Sequence, residues 1–172
     1  MFYLLCLLKF YRISKGKEDR TRIAERYGTS DVERKKGKVI WFHAASIGES
    51  LSILPLLSKL NSDKSIDQII LTTGTLTSAN ILKSKLSKKI IHQYIPFDIP
   101  SYVNKFLNHW NPSLAVFVES EIWPNFLTEL KKRNINSLIV NGRMTIKSFK
   151  RWSMLSGPVS YTHLRAHETH EH

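Results

Sequence analysis

Five short apolar runs, separated by segments with helical periodicity, constrain the fold of this chain more than any other feature of its sequence. Several runs are continuously apolar rather than alternating, which is typical of strands buried on both faces of a parallel sheet. The runs are VIWFHA (39–44), QIILTT (68–73), IIHQYI (90–95), LAVFVE (114–119) and SLIVNG (137–142). The alternation predicts an α/β fold with an open, doubly wound parallel sheet.

The segments between the runs predict helices. The first segment places four apolar residues on one helical stripe: Ile47, Leu51, Leu54 and Leu57. Within it, Pro55 either kinks the helix or marks an early turn. Further helices are predicted after Gly74, after the sequence DIP and within NFLTELKKRN.

In an open parallel sheet, ligands bind at the carboxyl ends of the strands, where the strand order reverses. If the order is the common 3-2-1-4-5, the loops after the first and fourth strands bring Glu49 and Glu119 to one crevice. Arg143 follows the fifth strand. These side chains predict an acid–base site in which Arg143 binds an anionic group or keeps a carboxylate ionised. An equally compatible alternative is that Glu119 and Glu121 cap the fourth helix and pair with Arg143.

Glu49 also has two interpretations. A carboxylate in the first turn of a helix is stabilised by the helix dipole by about 0.3 to 1 kcal/mol, so its position alone requires no function. The small residues before it, among them Ser46 and Gly48, would let a substrate approach the backbone closely. They favour the interpretation of Glu49 as a proton acceptor.

The remaining motifs exclude several classes of site. The chain has no Gly-x-Gly-x-x-Gly after the first strand and no P-loop pattern, so neither type of nucleotide site is predicted. The stretch AASIG resembles a relaxed nucleophile elbow, which makes a serine esterase using Ser46 one alternative. Three late histidines lack the His-Glu-x-x-His spacing: His167, His170 and His172. We therefore expect no metal and no cofactor.

A net charge of +12 predicts an acidic partner. Eleven of the 26 Lys and Arg residues lie within 9–38, directly behind the apolar stretch MFYLLCLLKFY. This arrangement suits a segment lying on an anionic membrane, and the alternative is a first helix packed on the domain. No nucleic-acid-binding signature accompanies the charge, so no nucleic-acid partner is predicted. The single cysteine, Cys6, excludes an internal disulfide and favours a reducing compartment.

These patterns divide the 172 residues into three parts. Residues 1–37 are predicted to be an apolar and basic membrane-associating segment. Residues 38–157 are predicted to be the Rossmann-like α/β domain. Residues 158–172 break the pattern and are predicted to be a non-native or disordered tail.

Four stretches together resemble a known family. HAASIGES, PFDIP, FVESEIWPN and NGR, in this order and at these intervals, resemble the N-terminal half of 3-deoxy-D-manno-octulosonic acid (Kdo) transferases. The resemblance covers about residues 16–157 and includes KEDRTRIAERYG before the first strand. It implies the acceptor-binding domain of a two-domain glycosyltransferase of the GT-B fold, without a cofactor.

The resemblance also implies a reaction and roles for individual residues. Kdo would pass from CMP-Kdo, with inversion, to a lipid A precursor at the cytoplasmic face of the bacterial inner membrane, in lipopolysaccharide biosynthesis. Glu49 would be the general base on the acceptor hydroxyl and Glu119 a second functional carboxylate. Ser46, Gly48 and Arg143 would line the same cleft and bind substrate.

The chain departs from the family pattern in three respects. The family's N-terminal anchor is usually longer than the apolar stretch of this chain. The family typically has NAR where this chain has NGR. The donor-binding C-terminal domain is absent from these 172 residues, so we expect the fragment to be inactive alone. Besides the esterase, a non-catalytic α/β module that binds anionic lipid is the remaining alternative function.

Overall fold

The computed structural model describes residues 18–118 and 123–140. Within these residues the chain forms an α/β domain around one sheet of parallel strands: β1 (Val39–Ala44), β2 (Gln68–Thr73), β3 (Ile90–Tyr94), β4 (Leu114–Val118) and β5 (Asn136–Val140). Each strand overlaps one of the apolar runs. The predicted parallel α/β sheet is therefore confirmed.

The strands lie in the order β3-β2-β1-β4-β5, which is the order assumed for the predicted site. The chain builds one side of the sheet from β1 outward and then returns to place β4 on the other side of β1. Ala44 and Val118, the last residues of β1 and β4, are paired with each other. The switch point, where open parallel sheets bind ligands, thus lies at the loops that follow these two strands.

The α-helices of the described ranges are α1 (Ile47–Ser52), α2 (Leu54–Asn61), α3 (Leu76–Leu82), α4 (Pro100–Trp110) and α5 (Pro124–Lys132). The predicted first helix is in fact two helices, because Pro55 lies in the first turn of α2, where its missing N–H is tolerated. Leu51 is 39% exposed, so the predicted apolar stripe does not continue across this break. None of these helices is long and apolar enough to cross a membrane.

Buried side chains cover both faces of the sheet. On one face, the ring of Trp41 lies 5.0 Å from Phe106 of α4, 5.3 Å from Phe117 of β4 and 5.0 Å from Phe126 of α5, between ring centroids. On the other face, the buried leucines of α2 and α3 pack against the alternate residues of β1. Burial of both faces holds the carboxyl ends of the strands in fixed positions, as a doubly wound sheet requires.

Residues 18–37 precede the sheet and pack against it largely through arginine side chains. Arg22 and Arg34 donate hydrogen bonds to backbone carbonyls of β3 and α4, each at 2.8 Å, and Arg26 is only 3% exposed. These three arginines belong to the eleven Lys and Arg residues within 9–38, here called the basic block, and they have partners within the domain. Residues 1–17 lie outside the described residues, so the membrane-associating segment remains a prediction.

Candidate active site

The Ser46 and Glu49 side chains bind each other at the start of α1. Ser46 is the N-cap, and its hydroxyl oxygen accepts a hydrogen bond from the Glu49 N–H at 3.3 Å. The same hydroxyl donates to Glu49 Oε1 at 2.8 Å, while the Ala45 N–H donates to Glu49 Oε2 at 2.8 Å. Serine followed three residues later by glutamate is the pattern of a capping box, but here the Glu49 carboxylate binds the N–H of Ala45, one residue before the N-cap.

These contacts orient the Glu49 carboxylate without using all of its accepting capacity. An ionised carboxylate offers about four lone-pair sites, and Ser46 and Ala45 occupy one on each oxygen. Glu49 is half-buried and Ser46 is exposed, so the first turn of α1 is open to solvent. The carboxylate can therefore cap the helix and still accept a proton from a bound hydroxyl.

Gly48 lies in this exposed turn with space around it. A methyl group added at its Cα would have the Ser46 hydroxyl as its nearest neighbour, 4.0 Å away, among the atoms of the described residues. Packing within the described part of the chain therefore gives no reason for a glycine here. Close approach of a substrate is an explanation that remains consistent with this geometry.

The contacts of Ser46 differ from those of an activated serine nucleophile. A nucleophilic serine requires a histidine or another base that accepts its proton, and that base is held by a third group. Within the described residues, the Ser46 side chain bonds to Glu49 and to no histidine. The nearest histidine in the sequence, His43, has Nδ1 3.0 Å from the Thr72 hydroxyl inside the sheet. These contacts count against the esterase alternative.

Another carboxylate, that of Asp98, joins the loop after β3 to the first turn of α5. It lies after β3, and its oxygens accept hydrogen bonds from the Asn125 N–H at 3.1 Å and the Phe126 N–H at 3.2 Å, in the first turn of α5. The Asn125 amide donates in return to the Asp98 carbonyl at 2.7 Å. The motifs PFDIP and WPN, which are 27 residues apart at this contact, are thus one connected structure at the carboxyl edge of the sheet.

A family model described as 3-deoxy-D-manno-octulosonic-acid transferase (kdotransferase) matches residues 21–167 of the chain. This range includes the Glu49 turn, the Asp98 loop and all five strands. The chain belongs to the Kdo transferase family.

Curated relatives of the same name are similar to the chain over most of its length. The 3-deoxy-D-manno-octulosonic acid transferase of Rickettsia bellii is 39% identical over 148 residues, which are 86% of this chain and 35% of the relative. That of Haemophilus influenzae is 33% identical over 153 residues, or 88% and 36%. The probable mitochondrial enzyme of Arabidopsis thaliana is 37% identical over 143 residues, or 83% and 32%. The chain spans about a third of the length of these relatives.

In this member of the Kdo transferase family, three of the predicted site residues lie together. Glu49, Ser46 and Gly48 form the first turn of α1, beside the switch point between β1 and β4. Glu119 and Arg143 lie outside the described residues, so their place in the site remains a prediction. The late histidines and the tail also lie outside them. Within the described ranges, no group of three or more His, Cys, Asp or Glu residues is arranged to hold a metal ion.

The stretch KEDRTRIAERYG contributed to the family resemblance, but its contacts were not predicted. Arg22 binds Glu25 at 2.7 Å, and Glu25 in turn accepts a hydrogen bond from the Tyr94 N–H at 2.6 Å. Arg22 also lies 3.1 Å from Nδ1 of His92, whose Nε2 lies 2.9 Å from the Thr73 hydroxyl. The stretch thus holds the carboxyl ends of β2 and β3. The alternating acids and arginines of the stretch indicate ion pairs, but the sequence could not identify partners such as His92, which lies 70 residues from Arg22.

The environment of His92 keeps its ring neutral. Burial of the ring, followed by the positive charges of Arg22 and Arg26, lowers the pKa of His92 from 6.5 to about 3. A neutral ring can accept from Arg22 at Nδ1 and donate to the Thr73 hydroxyl from Nε2. Nδ1 therefore acts as a fixed acceptor for Arg22 at neutral pH.

Proposed function

We propose that this chain is the acceptor-binding part of an enzyme that transfers Kdo from CMP-Kdo to a lipid A precursor in lipopolysaccharide biosynthesis. The observation that carries the proposal is the Glu49 carboxylate, which two hydrogen bonds orient in an open turn beside the switch point of the sheet. Membership of the Kdo transferase family supplies the substrate class. The donor, the acceptor and the whole reaction are part of the proposal, because the chain spans about a third of its relatives.

In the proposed reaction, Glu49 is the general base. A hydroxyl oxygen of the acceptor attacks the anomeric carbon of Kdo while the bond from that carbon to the cytidylate oxygen breaks. The hydroxyl proton passes to the Glu49 carboxylate, and CMP leaves with the bonding electron pair on the opposite face, so the configuration inverts. General base catalysis of this kind contributes about 10² to 10⁴ in rate.

The other predicted site residues have supporting roles in the proposal. Ser46 holds Glu49 Oε1, and Gly48 leaves room for the acceptor sugar against the backbone of α1. Glu119 follows β4, the strand paired with β1, and is proposed as the second functional carboxylate. Arg143 is proposed to bind an anionic group of a substrate, because a guanidinium forms paired hydrogen bonds with phosphate or carboxylate.

The proposed location is the cytoplasmic face of the bacterial inner membrane. A lipid A precursor carries phosphates and acyl chains, so its enzyme has to approach an anionic membrane surface. The net charge of +12 supports this approach, and residues 1–37 combine apolar and basic character. Of the basic block, Lys35, Lys36 and Lys38 are exposed and available to lipid headgroups.

The experiment joins the chain to the C-terminal two thirds of the Haemophilus influenzae relative and measures Kdo transfer from CMP-Kdo to a lipid A precursor. Glu49→Gln retains a side chain that can cap α1 but cannot take the proton, so kcat should fall at least about 100-fold. Glu33→Gln, at an exposed glutamate, is the matched control and should keep the activity. Undiminished transfer by Glu49→Gln would refute the assignment of the base.

A further inference from the structure

The side chain of Arg26 is buried beneath the carboxyl edge of the sheet, where it donates four hydrogen bonds to other residues that the structure describes. Its Nε and Nη2 donate to the Glu18 carboxylate at 3.0 and 3.3 Å. Nη1 donates to the carbonyl of Ile95, directly after β3, at 3.0 Å. Nη2 also donates to the carbonyl of Gly74, directly after β2, at 2.7 Å. One guanidinium therefore links the ends of two neighbouring strands.

The backbone of Gly74 continues this link toward the first turn of α1, because its N–H lies in the preceding peptide group. Its N–H donates to the Ala45 carbonyl at 3.4 Å. The Ala45 N–H donates to Glu49 Oε2 at 2.8 Å. Three hydrogen bonds, joined through the backbones of Gly74 and Ala45, thus connect the buried ion pair of Arg26 to the carboxylate proposed as the base.

Stability alone does not account for a buried ion pair at this place. Removing two charges from water is costly, and well-packed apolar residues in the same space are often as stable or more stable. A guanidinium, however, has a planar fork of five donors that can bind a carboxylate and two carbonyls at once in a fixed geometry. Arg26 binds the carbonyls of Gly74 and Ile95 in this way, whereas an apolar side chain could form no hydrogen bond with either.

We propose that Arg26 is a positioning residue that, through Gly74 and Ala45, sets the orientation of the Glu49 carboxylate. The inference rests on the proposed function for its catalytic consequence, since Glu49 is the base only in that proposal. The structural part, the coupling from Arg26 to the Ala45 N–H, stands on the hydrogen bonds of this chain alone. Arg26 itself has no contact with the reacting atoms in the proposal.

Arg26→Lys tests the coupling in the 172-residue chain. A lysine ammonium keeps the charge opposite Glu18 but cannot also reach both carbonyls in the geometry of a fork. Amide hydrogen exchange measured by NMR should show the Ala45 N–H exchanging about tenfold faster, as expected when one hydrogen bond in the series weakens. The buried N–H of Ile69, near the start of β2, should keep its protection, which separates this local change from a general loss of stability.

Two further variants make the result decisive. Arg22→Lys is the matched control, because Arg22 lies in the same stretch and binds His92 and Glu25. It should leave the exchange of the Ala45 N–H unchanged. Gly74→Ala leaves the ion pair intact but adds a Cβ 3.3 Å from the Ala45 carbonyl, which has to move by a few tenths of an ångström. Gly74→Ala should also speed the exchange of the Ala45 N–H, so the coupling can be tested even if Arg26→Lys does not fold.

The catalytic consequence is measured in the fusion with the C-terminal part of the relative. A misplaced base lowers the rate of the chemical step more than it lowers binding, so Arg26→Lys should reduce kcat about tenfold while KM for the lipid acceptor stays within twofold. Arg22→Lys should retain kcat. If Arg26→Lys only reduced the amount of folded protein, kcat would return to the wild-type value after correction for the folded fraction.

The outcomes separate the two proposals. If Ala45 exchange is unaffected in a folded Arg26→Lys chain and in Gly74→Ala, the positioning role is wrong, whatever the fusion does. If Ala45 exchange rises as expected but the wild-type fusion transfers no Kdo, the proposed function fails while the coupling stands. If both exchange and kcat change as stated, both proposals are supported.

Discussion

The carboxylate of Asp98 caps helix α5 at Asn125, and the Asn125 side chain returns a hydrogen bond to the Asp98 backbone. The contact fixes the loop after β3 against the first turn of α5. An acceptor shared by two N–H groups of a first helical turn satisfies groups that would otherwise lack partners.

We therefore expect Asp98→Ala to destabilise the domain by about 1 to 3 kcal/mol, because it removes a charged acceptor from half-buried N–H groups. Asp98→Asn keeps one oxygen acceptor and should lose less than half as much. Urea unfolding of the 172-residue chain, followed by circular dichroism, measures both values. Equal stability of Asp98→Ala and the wild type would show that water replaces the cap without cost.

Ser46 should contribute to stability through its cap on α1. Ser46→Ala removes the hydroxyl that binds the N–H and the carboxylate of Glu49, and should cost about 1 kcal/mol. Ser46→Asn should recover most of that loss, because asparagine is a good N-cap. The same urea experiment measures the difference. Treatment with a fluorophosphonate probe should leave Ser46 unlabelled, and labelling there would instead support the esterase alternative.

His92 should make the stability depend on pH. Its pKa is lowered to about 3 in the folded chain, first by burial and then by Arg22 and Arg26, whereas the unfolded value is 6.5. Between these values the unfolded chain binds a proton that the folded chain does not, so folding is favoured less as the pH falls. The titration of His92 leaves the free energy of unfolding unchanged well above pH 6.5. Below that pH it lowers this free energy by at most about 1.4 kcal/mol per pH unit.

The measurement is the free energy of unfolding between pH 7.5 and pH 5, compared between the wild type and His92→Gln. Glutamine can accept from Arg22 and donate to Thr73 but does not titrate, so the variant should lose part of this slope. Carboxylates contribute equally to both proteins over this range, and the difference between the curves isolates the histidine. Parallel curves would mean that folding does not lower the pKa of His92.

Replacement by alanine should lower the stability at one glycine, Gly28, and leave it almost unchanged at another, Gly48. Gly28 ends the 3₁₀ helix Ile23–Tyr27 with φ at 80°, and a Cβ there would collide with the Tyr102 carbonyl, so Gly28→Ala should cost more than about 1 kcal/mol. Gly48→Ala has free space and should change the stability by less than about 0.5 kcal/mol. Thermal unfolding distinguishes them. In the transfer assay, Gly48→Ala should raise KM for the acceptor, because the added methyl occupies the proposed approach to α1.

The parallel sheet and its switch point could be predicted because their signals are local. Continuous apolar runs identify strands that are buried on both faces, and the chain order of strands and helices restricts the topology to a few arrangements. The position of Glu49 at the start of a helix followed in the same way, from an apolar run that ends at Ala44 and a helical stripe that begins at Ile47. The family motifs then added an expected reaction.

The broken first helix shows where periodicity misleads. Leu51 fits the apolar stripe of a continuous helix, but α1 ends at Ser52 and α2 begins at Leu54, with Pro55 in its first turn. Leu51 is therefore exposed, whereas Leu57 is fully buried. Periodicity assumes one continuous helix, and it fails where the helix is interrupted beside a proline.

The sequence by itself determined the strands, the helical turn that carries Glu49 and the capping pair it forms with Ser46, because these depend on residues within a few positions of one another. Only the tertiary structure decided that Asp98 would cap α5 and that Arg26 would reach Gly74 and Ile95. Arg26 and Ile95 are 69 positions apart, and nothing in either neighbourhood specifies the other. A buried guanidinium binds the carbonyls that the packed sheet brings within its reach, so its partners are selected only when the strands have been assembled.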